Sequence, residues 1–209
     1  MPLRRNPYAL FIVLFPISFI PRFFGGNLER WALWLLFWYV LIPLVVSLAL
    51  GFRPGELGLK LPHDNWRIFE LLMTLAVIVS FGGLLVPSMR DYYPDFAYSG
   101  WVSFLEKELV VGAVMFAHEA FFRGFLLFPL SEKNERLAVL AQDVPYTIVH
   151  IGKPLPEIPY SFFAGLVFAW MDLRGKSFFQ SFLLHWLGSA FFDVLCALFK
   201  AGIIHFSGL

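Results

Sequence analysis

An apolar stretch near the middle of the chain contains His118-Glu119-Ala120-Phe121-Phe122-Arg123. Its flanks, Val110–Ala117 and Gly124–Leu130, have the composition of a membrane-crossing helix. A Glu or Arg at the centre of such a helix costs roughly 2.5–3.5 kcal/mol each on insertion scales, so intramembrane charge is a functional candidate by default. Glu119 and Arg123 are one helical turn apart with the acid on the N-terminal side, the order an ion pair prefers. Two more histidines, His150 and His185, lie in apolar surroundings downstream, and Ser189 and Asp193 follow His185 at i+4 and i+8. Imidazole serves as base or acid near its ordinary pKa, and a buried carboxylate activates water or orients an imidazole. A hydroxyl donates to a developing oxyanion. Together these are the parts of a hydrolytic site: water held in a dry pocket, a base, an acid for the leaving group and an oxyanion donor.

Each feature also has a plainer structural reading. Glu119 and Arg123 read equally as a pair that orients two helices, and His185, Ser189 and Asp193 as a polar stripe joining helices. His150 ends the short segment Pro145-Tyr146-Thr147-Ile148-Val149-His150, after which Gly152-Lys153-Pro154-Leu155-Pro156 cannot continue a helix. Alone it reads as an interfacial histidine. Convergence separates the readings, because three separate segments each carry a histidine at a depth where none is needed for crossing a bilayer.

The elements that position these residues follow from composition. The chain has 209 residues, of which 59% are hydrophobic and only 15% charged. Its mean hydropathy is +0.71. This is too apolar for a water-soluble domain and predicts a polytopic, all-α bundle in a lipid bilayer. A net charge of +1 argues against nucleic acid as a partner. Cys196 is the only cysteine, which excludes an intrachain disulfide.

Long apolar segments occur at Trp31–Leu50, Ile68–Val86, Leu109–Leu130 and Phe178–Phe199. Shorter ones, Tyr8–Ile20, Leu137–Ile151 and Pro159–Asp172, bring the expectation to about seven spans. Tyr8–Ile20 follows Arg4 and Arg5 as a signal peptide would, but Pro21-Arg22-Phe23-Phe24 is a poor cleavage site, so it reads as the first span. With the N-terminus cytoplasmic, Arg4, Arg5, Arg53, Lys60, Arg67, Lys133, Arg136, Arg174 and Lys176 fall inside, and Arg22, Arg30, Arg90, Lys107, Lys153 and Lys200 outside. The Gly51–Trp66 loop reads as cytoplasmic, and Tyr92, Tyr93, Tyr98 and Trp101 as an aromatic belt at the opposite face. No internal repeat is present, so residues 1–209 read as one membrane domain. Within it, 1–103 supply scaffold spans and 104–199 the site.

The residues of that second part resemble the CAAX protease and bacteriocin-processing family, the type II CAAX prenyl endopeptidases and their prokaryotic relatives. The family pattern is Glu-Glu-x-x-x-Arg, then Phe-x-x-x-His, then His-x-x-x-Asn. The counterparts here are His118-Glu119-x-x-x-Arg123, Tyr146-x-x-x-His150 and His185-x-x-x-Ser189. Arg123-Gly124-Phe125-Leu126, Phe163-Ala164-Gly165 and Leu173-Arg174-Gly175-Lys176-Ser177 agree as well, and the likeness runs from about Leu109 to Phe199. His118 stands where the family has its water-activating Glu, and Ser189 where it has an oxyanion-donating Asn.

The resemblance implies an intramembrane endopeptidase, in a prokaryotic cytoplasmic membrane, acting on a membrane-associated peptide or protein. Its site residues would be His118, Glu119, Arg123, His150, His185 and Ser189, with no cofactor. His118 or Glu119 would activate water. Two alternatives stand beside this reading. One is a catalytically degenerate relative that binds peptides or confers bacteriocin immunity. The other is a zinc site of His118, His150 and His185 with an open water position. A transporter is a third class, but paired broken helices in two related halves are missing.

Overall fold

The computed structural model describes residues 4–63 and 66–205; positions 64 and 65 of the Gly51–Trp66 loop lie outside the described residues. The protein is an all-helical bundle, as the composition predicts. Helix α1 (Pro7–Leu14) runs into a 3-10 segment, Phe15–Phe23. The Asn6 side chain caps α1 by accepting from Tyr8 and Ala9 N–H. Then come α2 (Leu28–Ala49), α3 (Trp66–Leu84) and the short α4 (Pro87–Tyr92). The remaining helices are α5 (Trp101–Ser131), α6 (Glu135–Ile148), α7 (Glu157–Gly175) and α8 (Phe179–Lys200).

By length and apolarity α2, α3, α5 and α8 each suffice to cross a membrane, and Pro7–Phe23 is a shorter apolar helix. These correspond to the four long segments expected. About seven spans remain compatible with the bundle once α6 and α7 are included. Helix α5 begins eight residues before the predicted Leu109. Glu106-Lys107-Glu108 interrupts the apolar run, but Lys107 pairs with Glu29 and Glu108 is buried against α8. Local charge ended the apolar pattern, and tertiary partners let the helix run on.

Two π-helical segments, Leu36–Leu41 in α2 and Ala120–Leu127 in α5, face each other. Tyr39 from the first stacks on Phe121 from the second at 4.4 Å. The Tyr39 hydroxyl donates to the Ser18 carbonyl, which ties the first segment to both. All eight residues Ala120–Leu127 are buried, so this stretch of α5 is enclosed on every side and lies inside the bundle.

The two ends of the bundle are tied separately. At one, Arg5 pairs with Glu56, Ser177 Oγ donates to the Lys60 carbonyl and His63 N–H to that of Gly175. At the other, Lys200 donates to the Asp91 carbonyl and Arg22 reaches the end of α6.

Tyr93 departs from the aromatic-belt expectation. It is buried, and its hydroxyl donates to Glu157 while accepting from Lys153. Burial first, and Glu157 beside it, push the Tyr93 phenol well above its usual range, which keeps it a donor. Trp101 and Tyr98 are exposed, as a belt requires.

Candidate active site

Glu119 and Arg123 project from α5 into the bundle interior, and both are fully buried. Arg123 Nε lies 3.2 Å from Glu119 Oε2. The other oxygen, Glu119 Oε1, accepts the Nδ1–H of His185 at 2.7 Å. The Arg123 guanidinium lies over the Tyr146 ring at 4.0 Å, near Phe168 at 5.5 Å, and donates from Nη2 to the Gly165 carbonyl at 3.5 Å. One ion pair on α5 is thus gripped by α6, α7 and α8. A planar cation suits this stacking better than an ammonium would.

Helix α8 reaches Glu119 because α5 carries Gly112. A methyl group there would sit 2.7 Å from the Trp186 ring, and the Trp186 indole donates to the Glu108 carbonyl at 2.9 Å. His185, the neighbour of Trp186, is thereby held beside α5. Asp172 fixes the start of the same helix, accepting from Ser181 Oγ at 2.6 Å and from its N–H at 3.4 Å. A carboxylate at a helix N-terminus satisfies otherwise unpaired donors.

The three histidines share a feature. Nδ1 of His118 is 3.0 Å from the Val114 carbonyl, and Nδ1 of His150 is 2.7 Å from that of Tyr146. A carbonyl only accepts, so each ring carries its proton on Nδ1, as His185 does toward Glu119. The lone pair is left on Nε2 in all three. Such an imidazole is set up as a base or as a ligand.

A cavity of about 320 Å³ lies between α3, α7 and α8 and the end of α6. His150, His185, Ser189 and Tyr146 line its polar part, with Lys153, Glu157 and Tyr93 beyond them. The rest of the wall is apolar, including Leu72, Leu75, Val79, Phe163 and Val167. Leu75, Val79 and Phe163 are also exposed on the bundle surface.

Glu119 and Arg123 are not part of this lining; they stand behind His185. His118 is also outside it, packed edge-on against Tyr39 at 5.4 Å and parallel to Phe122 at 6.3 Å. It nevertheless lies within electrostatic range of Glu119, His150 and His185. Asp193 is buried away from His185, in the field of Glu108, Lys153 and Asp95.

Among the described residues no group of three or more His, Cys, Asp or Glu is arranged to hold a metal ion. Residues that sequence reasoning passed over are Asp143, Asp172, Tyr39 and the Tyr93–Lys153–Glu157 cluster. Asp143 had a readable signal, since it precedes Tyr146 by three residues and His150 by seven and so shares their helix face.

No curated protein and no solved structure shows significant similarity to the chain. A family model described as Type II CAAX prenyl endopeptidase Rce1-like matches residues 100–191. That stretch holds His118, Glu119, Arg123, His150, His185 and Ser189 together. Over residues 100–191 the chain is therefore similar to the type II CAAX prenyl endopeptidase Rce1-like family.

Proposed function

We propose that the protein is an intramembrane endopeptidase that hydrolyses a peptide bond of a membrane-associated peptide or protein. The observation that carries this reading is the Glu119–His185 hydrogen bond at the wall of a cavity that is otherwise apolar. Glu119 orients the imidazole and stabilises its protonated form, as a carboxylate does for a catalytic histidine. Arg123 supplies the counter-charge at the other oxygen of Glu119. Water held in the cavity gives one proton to Nε2 of His185 as its oxygen attacks the scissile carbonyl, while Nε2 of His150 accepts a hydrogen bond from the same water and holds it in place. Ser189, one turn beyond His185, donates to the oxyanion, and the protonated imidazole then gives its proton to the leaving amine.

His118 remains a candidate water activator because it sits one residue before Glu119 and within range of both cavity histidines. The end of the bundle that carries Arg4, Arg5 and Lys60 is the cytoplasmic side in this reading. For a bacterial or archaeal source, leader peptides or other membrane-bound peptides take the place of prenylated substrates.

The test is cleavage of a membrane-anchored fluorogenic peptide by purified protein in proteoliposomes. Glu119→Gln and His185→Ala are expected to lower kcat by about 10²–10⁴, the range for loss of a general acid–base. Wild-type rates in both variants overturn the proposal. The position of His118 outside the lining favours a second reading, a degenerate member that binds peptides without cutting them. Saturable peptide binding with no cleavage by the wild-type protein selects that reading.

A further inference from the structure

We propose that Asp143 is a positioning residue of the site: from α6 its charge draws on the far edge of the Arg123 guanidinium across their shared pocket, so that one oxygen of Glu119 stays free to orient His185. The activity arm of the proposal rests on the endopeptidase reading.

Asp143 is completely buried. Its Oδ1 occupies the notch left by Gly165, where an added Cβ would lie 1.8 Å from that oxygen and 3.1 Å from Tyr146 Cδ1. The carbonyl of the same Gly165 accepts from Arg123 Nη2, and the Tyr146 ring lies 4.0 Å under the guanidinium. Asp143, Gly165, Tyr146 and Arg123 therefore meet in one pocket. Neither oxygen of Asp143 accepts a hydrogen bond and Arg123 Nη1 donates none. Each stands in the other's field. Among the described residues the two form no direct ion pair, so each offsets the other's burial through its field across the pocket.

The consequence lies on the other side of Arg123. A guanidinium with a single carboxylate in reach prefers the two-pronged contact that takes both oxygens. Here Arg123 meets Glu119 through Nε and Oε2 only, and Oε1 accepts His185. Asp143 is the second carboxylate that makes this division stable. Without its charge, Arg123 turns fully onto Glu119, and the His185 imidazole loses the acceptor that sets its tautomer.

Two readouts test this. In full-length protein labelled with ¹⁵N-histidine in nanodiscs, the bonded Nδ1–H of His185 gives a resonance assigned by its loss in Glu119→Gln. Asp143→Asn, which is isosteric, should shift or abolish that resonance and lower kcat about 10–100-fold with little change in KM, the usual effect of removing a partner behind a ligand or base. Gly165→Ala displaces the carboxylate by bulk and should do the same, which covers the case of a poorly accumulating Asp143→Asn. In a His185→Ala background Asp143→Asn should cost nothing further. An unchanged His185 resonance overturns the proposal, and so does an equal loss of rate with and without His185. If wild-type protein cleaves nothing, the endopeptidase reading fails while the resonance still decides the role of Asp143.

Discussion

Arg22 Nη2 donates to the Ile151 carbonyl at 3.1 Å, immediately beyond His150 in the chain, and its Nη1 reaches the Ile148 carbonyl at 3.3 Å. These carbonyls belong to the end of α6, where helix geometry leaves acceptors unpaired and a cation is favourable. The segment before α2 thus holds both sides of His150, although it lies outside the stretch that carries the family match. Arg22 is exposed, so the contribution is about 1 kcal/mol or less. Arg22→Ala is expected to lower kcat by up to about fivefold, the factor that corresponds to about 1 kcal/mol, with Arg22→Lys in between. Steady-state cleavage at matched membrane levels checks this, and unchanged kinetics would detach the N-terminal segment from the site.

Arg123→Ala strands Glu119 inside the bundle. Breaking a buried pair from one side costs about 3–5 kcal/mol, so the variant should accumulate poorly and melt earlier in detergent. Arg123→Lys keeps the charge but loses the flat contact with Tyr146, and should fall between the two. Normal accumulation of Arg123→Ala would mean that the pair contributes little to the fold.

The role of His118 is separable. His118→Ala removes a ring packed between Tyr39 and Phe122, so a small loss of stability is expected whatever the chemistry. If His118 activates water, cleavage is abolished in this variant and preserved or raised in His118→Glu, which restores the paired acids of the family pattern. Full activity in His118→Ala would leave the task to Glu119 and His185. In either case activity should fall as the medium is acidified, because imidazolium has no lone pair to accept a proton.

Metal dependence is open to direct measurement. With each Nδ1 engaged, three Nε2 lone pairs remain, but the described residues form no ligand group. Cleavage is expected to survive chelation, and purified protein to hold far less than one equivalent of zinc. Stoichiometric zinc that disappears in His118→Ala, with activity restored by zinc, would make His118, His150 and His185 its ligands.

Much of this arrangement is readable locally and some is not. The Glu119–Arg123 pair is an i, i+4 relation within one helix, and the three histidine segments stand out against apolar surroundings. The partner of His185 is 66 positions away, and nothing in the pattern of α8 announces Glu119. Tyr93 reads as an interfacial aromatic until Lys153 and Glu157, from beyond α6, supply its buried partners. The true start of α5 was hidden for a related reason, since Lys107 finds its counter-charge on α2. Local spacing reveals the residues; the contacts that give them roles are made between helices.

The wide turns of Ala120–Leu127 bear on how this chain tolerates change in length. A π-helical turn holds more residues than an α-helical one, so it amounts to a lengthening built into the helix. Loss of a single residue there would let the stretch relax to ordinary winding and swing everything after it by about 100° relative to what precedes. Glu119 would keep its place while Phe128, whose ring lies against Gly58, turned away from that loop. Indels in this octet are thus far more disruptive than conservative exchanges, and its length is as much a part of the site as any side chain within it.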